Sequence, residues 1–265
     1  MAVVMMDVIK RLMEPVGFLE QTVDRLLYGD PQAAVTGIVT TFMPTQHVLE
    51  EAVHLGANLV IAHEHLFYSH HDAFEDSLKQ DPVYLAKKRF LQESGLSVFR
   101  NHDYIHRHQP DGITEGLIHA LEWEGHVIKQ EPAFTVIEFP AQTVGELAVY
   151  LKQKLGLFSM RFVGDPDIIC QRVGVFVGYR GGGNLVIPLF EQERLDVVIY
   201  GEGPEWETPE YVRDAVQQGR RKALLVLGHA ESEEWGMRLL ANRLQAQFPA
   251  IPVHFVRDKP LFQMI

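Results

Sequence analysis

The stretch NLVIAHE, residues 58–64, decides how the rest of the chain is read, because a near copy, DVVIYGE, occupies residues 196–202. Each is a short apolar run ending in a glutamate, Glu64 in the first and Glu202 in the second. Such runs bounded by polar residues read as buried strands, and open α/β sheets carry their sites at the carboxyl ends of strands. Outward from the first copy, TGIVTTF (36–42) reads as a strand. Thr45 caps the helix QHVLEEAVHLG, which stops at Gly56. DPVYLAKKRFLQESG is an amphipathic helix closed by Gly95, and LSVFRNH is the strand after it. The second copy repeats the rhythm. RVGVFVGYRGGG gives a strand and a glycine turn, NLVIPLFEQER a helix, LDVVIYGE a strand, TPEYVRDAVQQG a helix and ALLVLGH a strand. Tyr84 precedes His102 by 18 positions, and Tyr211 precedes His229 by the same 18. Each of these histidines has a donor four residues on, His106 in one copy and Glu233 in the other. Strand–helix alternation alone would not fix those identities at one spacing, so the pattern implies an internal duplication. The segment at 131–168 adds a strand, a helix and a strand, with Pro132 and Asp165-Pro166 as punctuation.

The expected fold is therefore α/β, two pseudo-repeated lobes with mostly parallel sheets, divided as 1–125 and 126–265. The C-terminal strand and helix of the second lobe would complete the site.

Composition narrows the chemistry. A formal charge of −11 over 265 residues, with no basic block, argues against nucleic acid or a membrane surface as partner. The opening MAVVMMDVIKRLMEP lacks the basic start of a signal peptide, and no run approaches the roughly 20 apolar residues that span a bilayer. A cytoplasmic location is the expectation. Cys170, the only cysteine, lies in the apolar DIICQRVG, which excludes an intramolecular disulfide and suggests packing over a reactive thiolate. No Gly-x-Ser-x-Gly elbow is present. Chemistry, if there is any, falls to histidine and carboxylate.

Those residues cluster. The strand ending in His63 and Glu64 runs into His65, His70, His71 and Asp72, and imidazole with carboxylate is the ligand set of zinc, manganese and iron. Adjacent strand residues face opposite sides, so His63 and Glu64 share a site only if the strand stops or twists there, unless each serves a different ion. FRNHDYIHRHQ offers His102, Asp103, His106 and His108, and the repeat selects His102 and His106. Asp103 either ligates or orients a histidine. In VLGHAESEEWG a strand leads to His229; Ser232 reads as the N-cap of the next helix, with Glu233 in its first turn. GYRGGGN (178–184) is either a phosphate cradle or, as we favour, a tight turn passing close to the site. His54, His119, His126 and His254 lack such surroundings and read as structural or surface residues.

With GANLVIAHEHLFY, DVVIYGE and LGHAESE in place, the chain resembles the Nif-three-like family over most of its length; members often bear the name GTP cyclohydrolase 1 type 2 homologue. In that family the first strand ends in Ser-His-His-Pro, and a late Gly-His with Glu four residues on completes a two-metal site. His229 and Glu233 match. Glu64 stands where the second histidine of the pair would be, His65 where the proline would be, and His106 where an aspartate follows His102. These departures mark a divergent subfamily. The resemblance implies interlinked lobes with a metal site between them, and a ring-shaped homohexamer whose sites face its interior. It also implies two divalent transition ions per chain, held among His63, Glu64, His102, Asp103, His106, His229 and Glu233. Glu233 or Glu202 would bridge the ions or accept a proton. The reading is a metal-dependent hydrolase acting on an unidentified, nucleotide-like small molecule. Its alternative is a non-catalytic metal-binding, storage or scaffold protein.

Overall fold

The computed structural model describes residues 2–70 and 76–263, which leaves His71 and Asp72 outside the described residues. Contacts divide the chain into two compact units. One comprises the chain through Gly112 together with Met237–Gln263, and the other Ile113–Gly236. Sequence suggested a break at 125/126 with everything after it in one lobe. The C-terminal segment groups with the first unit because its last strand joins that unit's sheet.

The first unit is a five-stranded sheet in the order β1-β4-β3-β2-β11. After helix α1 (Met5–Met13) come β1 (Leu26–Tyr28), β2 (Ile38–Thr41), α2 (Gln46–His54), β3 (Leu59–Ala62), α3 (Pro82–Ser94), β4 (Ser97–Arg100) and α4 (Asp103–His106); β11 (Val253–Phe255) closes the sheet beside β2. All pairings are parallel except β1 with β4. The Thr45 and Gly95 signals read from sequence act as expected, and Asp81 adds a cap. Thr45 accepts the Val48 N–H, Asp81 accepts those of Val83 and Tyr84, and Gly95 ends α3 in the left-handed region at φ +70°. Val39, Val60 and Val98 stand in register across three strands and bury one sheet face against Val48, Leu49 and Ala52 of α2 and Tyr84 and Leu91 of α3. Removing such faces from water, at about 25 cal/mol per Å² of apolar surface, is the main drive for this layering.

The second unit begins within α5 (Gly112–Ala120) and carries a six-stranded sheet in the order β5-β6-β8-β9-β10-β7. Its elements are β5 (Val127–Glu131), β6 (Phe134–Thr143), α6 (Val144–Leu155), β7 (Arg161–Val163), β8 (Ile169–Phe176), α7 (Gly183–Gln192), β9 (Val197–Tyr200), α8 (Thr208–Gln217), β10 (Ala223–Val226) and the start of α9 (His229–Gln247). Here only β8–β9 and β9–β10 are parallel. The segment between the sequence copies adds antiparallel neighbours on both sides, so this sheet is mixed where mostly parallel pairing was expected. Val198, Leu224 and Val136 meet Val186, Phe190 and Val212 in its core. The duplicated strand–helix–strand pattern thus gives two strand ends in each sheet where donors follow: β3 and β4 in the first, β9 and β10 in the second.

Candidate metal centre

Three imidazoles converge in the first unit. His63 follows β3 directly and is fully buried, while His102 is the N-cap and His106 the last residue of the short α4 after β4. The His63 and His102 rings stack with centroids 4.6 Å apart, and His106 stands edge-on to both at 5.0 Å. One ring nitrogen of each lies within 4.8 Å of the others.

The second nitrogen of each ring fixes which atom is offered. His63 Nδ1 lies 3.2 Å from the backbone oxygen of Asn101, His102 Nδ1 3.0 Å from Asp103 Oδ1, and His106 Nδ1 3.0 Å from Asp111 Oδ2. A carbonyl or carboxylate oxygen can only accept, so each Nδ1 carries the proton and each Nε2 presents its lone pair. Metal-bound histidines share this feature: an acceptor on the far nitrogen sets tautomer and ring orientation. Burial, reinforced by the charges of His63 and His106, pushes the His102 pKa down to about 2, so that ring is neutral and ready to donate. Of the two Asp103 oxygens, Oδ1 meets His102 Nδ1 at 3.0 Å and Oδ2 takes the Val23 N–H at 2.9 Å. Burial opposes its ionisation, yet the Val23 and His102 bonds prevail and hold the Asp103 carboxyl near 2.

Glu64 follows His63 just past the end of β3, and the two side chains offer donor atoms within 4.8 Å of each other. Glu64 Oε2 accepts from Arg100 Nη2 at 3.0 Å, and its Oε1 sits 3.9 Å from His102 Nε2. It therefore reaches the cluster with one oxygen while Arg100 holds the other. Arg100, 1% exposed, also donates through Nη1 to the backbone oxygen of His70 at 2.7 Å and lies 2.9 Å from His70 Nδ1. Glu64, His70 and His102 make a second group able to hold an ion. His65, in the loop that follows, is buried, and its Nδ1 accepts the Phe67 N–H at 3.0 Å.

In the second unit, His229 opens α9. Its Nδ1 is 2.9 Å from Glu202 Oε1 and its Nε2 is 3.1 Å from Glu233 Oε2. Burial alone would lower the His229 pKa, but the two carboxylates outweigh it and raise it to about 10. The His229 bond in turn holds the Glu202 carboxyl below its usual range. Ser232 is no N-cap. The helix starts three residues earlier, so Ser232 is inside it and fully buried, with Oγ donating to the His229 oxygen and accepting the Gly178 N–H at 2.9 Å. Glu233 thus lies one full turn along α9, not in its first turn.

The glycine motif serves close approach. Gly178 has φ +59°, and a Cβ there would fall 2.0 Å from Glu233 Oε1. At the α7 N-terminus the Gly183 N–H is already taken by Glu207 Oε2 at 2.6 Å. A carboxylate therefore fills the place a phosphate would need. His119 and His126 lie apart, one paired with Glu124 and the other against Phe139, in line with structural or surface roles.

Sequence reading missed Asp24, Arg100 and Asp111. Asp24 carries a buried carboxyl whose pKa burial raises, against three backbone N–H bonds that lower it. Asp111, five residues after His106, had a weak local signal. Arg100 had one too, as a charge inside an apolar strand.

Of the two compact α/β units, one brings together three imidazoles that could hold a metal ion and the other sets a histidine between two glutamates. The chain belongs to the Duf34/NIF3 (NGG1p interacting factor 3) family, whose model matches residues 5–260. It is 22% identical over 232 residues to the GTP cyclohydrolase 1 type 2 homolog of Clostridium acetobutylicum, covering 83% of this chain and 80% of that one. A protein of the same name from Clostridium perfringens is also 22% identical, over 78% of this chain and 77% of that one. Among solved structures, a hypothetical protein of Staphylococcus aureus aligns over 100% of both chains at 19% identity with a TM-score of 0.76. A Bacillus cereus protein related to NIF3 aligns over 100% of both at 15% identity with the same TM-score of 0.76. Among the described residues no helix is long and apolar enough to cross a membrane.

Proposed function

We propose that the protein is a metal-dependent hydrolase acting on a small, nucleotide-like molecule, with two divalent transition ions per chain, zinc, manganese or iron. The observation that carries this reading is the convergence of His63, His102 and His106, one ring nitrogen of each within 4.8 Å of the others, with each Nδ1 set against an acceptor oxygen. Three neutral ligands leave the ion its full charge, and such an ion supplies Lewis acidity and lowers the pKa of water toward about 7. Glu64 keeps one oxygen directed to the cluster while Arg100 restrains the other. In the second unit, His229 and Glu233 are the proposed ligands. Glu202 holds the His229 ring through Nδ1, and Glu233, which meets Nε2, is the proposed acceptor of a proton from bound water. The name borne by the clostridial relatives suggests a nucleotide-like substrate, and a homohexamer is the proposed assembly.

The test is metal content of tag-free protein by plasma mass spectrometry, beside His102→Ala/His106→Ala and His229→Ala/Glu233→Ala. About two ions per chain, reduced in both variants, supports the reading; no ion in any of them after reloading sinks it. Turnover of a broad hydrolase panel by loaded protein then tests catalysis, and light scattering tests the hexamer.

Full burial of His63 favours a second reading, a closed metal-binding or storage site. Cobalt-substituted protein separates the two. A catalytic site keeps an open position and shifts its visible spectrum with azide, whereas a closed site does not.

A further inference from the structure

The donors His102 and His106 sit on α4, a helix of four residues, which is too short to hold its own geometry in water. Its N-cap position is His102 itself, whose side chain makes no capping bond. What holds the turn comes from far away in sequence. Asp24 Oδ1 accepts the His102 N–H at 2.7 Å and the Asp103 N–H at 3.0 Å, and its Oδ2 accepts the Tyr104 N–H at 2.8 Å. Asp103 returns the contact, taking the Val23 N–H at 2.9 Å through Oδ2 while its Oδ1 meets His102 Nδ1. One residue further, the Arg25 carbonyl accepts the Arg100 N–H at 3.0 Å, where β1 begins to pair with β4. The loop at 22–24 and the turn at 102–104 are thus bonded in both directions.

We propose that Asp24 is a positioning residue for the imidazole cluster, its buried carboxylate gathering three N–H groups to fix the backbone from which His102 and His106 project. The same bonds place Asp103 where it locks the His102 tautomer, so a residue that touches no ligand nitrogen sets which nitrogen is offered. Asp24 does for the whole turn what an acceptor behind one ring does for that ring. The role builds on the proposed metal reading, but its structural core can be tested without metal.

The experiment uses full-length, metal-free, ¹⁵N-labelled protein as wild type, Asp24→Ala and Asp24→Asn, with long-range imidazole ¹H–¹⁵N spectra. Wild-type His102 should show one protonated and one bare nitrogen, with the proton on Nδ1. In Asp24→Ala the two shifts should move toward each other as tautomers mix, and Asp24→Asn, which keeps one acceptor oxygen, should fall between. Zinc affinity should weaken about 10- to 100-fold in Asp24→Ala and less in Asp24→Asn, the range for loss of a partner behind a ligand. Should Asp24→Ala fail to fold, Asp24→Asn carries the test alone. Unchanged His102 shifts in a folded variant, with zinc affinity within about twofold of wild type, would overturn the proposal. Wild-type protein that binds no zinc would end the metal reading, and the tautomer spectra would still decide the role of Asp24.

Discussion

At Gly178 one backbone angle protects the second-unit donors. Its φ of +59° disfavours any residue with a Cβ by roughly 1–2 kcal/mol, and that Cβ would lie 2.0 Å from Glu233 Oε1 and 3.1 Å from His229 Nε2. The far end of Glu233 must move, which breaks its contact with His229. Gly178→Ala should therefore unfold at lower denaturant and lose the ion proposed for His229 and Glu233, while Gly219→Ala should show the backbone cost only. Gly219 is also left-handed, at φ +74°, with nothing near its Cβ position. Equal metal content in the two variants would refute this account. Lys87 gives a second test at the same scale. It is 3% exposed, and burial lowers its pKa from 10.5 to about 8. Its Nζ donates to the Leu66 carbonyl at 2.8 Å and lies over the Phe67 and Tyr68 rings, which offsets part of the cost of burying the charge. Between the folded and unfolded pKa values the unfolded chain keeps a proton the folded chain has lost, so stability from this group rises with pH across that window. The gain is at most about 3 kcal/mol. Urea unfolding of wild type and Lys87→Met at about pH 7.5 and pH 10 reads it as a rising difference in favour of wild type, and a constant difference would contradict it.

At the scale of elements, the start of α9 separates what sequence can show from what it cannot. Gly228-His229 followed by Ser232 and an apolar helical period reads as strand, loop and capped helix, and the strand and helix are there. The cap is not, because the helix takes up His229 itself. A buried partner, the Gly178 N–H, uses Ser232 Oγ for a contact 54 positions away. Local pattern carries caps that act locally, as at Thr45, Asp81 and Gly95, but it has no record of bonds closed by tertiary approach. The same limit hid Asp24 behind α4 and Asp111 behind His106, while His102 and His106 were legible from repeat spacing and His63 from its place at the end of an apolar strand. The two readings of Ser232 differ in a measurable way. A true N-cap tolerates aspartate, which is as good a cap as serine. A buried hydroxyl beside Glu233 does not, since Ser232→Asp would bury a second carboxylate there. Ser232→Asp should cost well over the ~1 kcal/mol of a lost cap, read by chemical denaturation; a variant as stable as wild type would restore the N-cap.

At the scale of the molecule, the order of the chain and the order of its units differ. The second unit is a continuous run, Ile113–Gly236, whereas the first is completed by residues that come after it. Two features bring the C-terminal segment into the first sheet: β11 pairs in parallel with β2, and Thr40 Oγ1 donates to the Met237 carbonyl at 2.8 Å. Backbone bonds from Ile38 N–H to the Pro252 carbonyl and from Val256 N–H to the Thr40 carbonyl extend the ladder on either side. Strand periodicity alone does not reveal this, because a three-residue strand near the end of a chain carries no mark of which sheet it enters. A consequence follows for truncation. Removing residues 250–263 leaves the donor groups of both units in the chain but strips β2 of its outer neighbour, exposing N–H and C=O groups that an edge strand must then satisfy with water. Hydrogen exchange should accelerate at β2, then at β3 and β4, whose ends carry His63 and His102. Amides of β8, β9 and β10 should keep their wild-type protection, because their pairings lie within the second unit. On the proposed metal reading, an ion at His229 and Glu233 should survive the truncation, and an ion at the three imidazoles should be lost more readily. Uniform loss of protection across both sheets would instead mean that the two units unfold as one cooperative body, and the division of donors between them would then carry no separate stability.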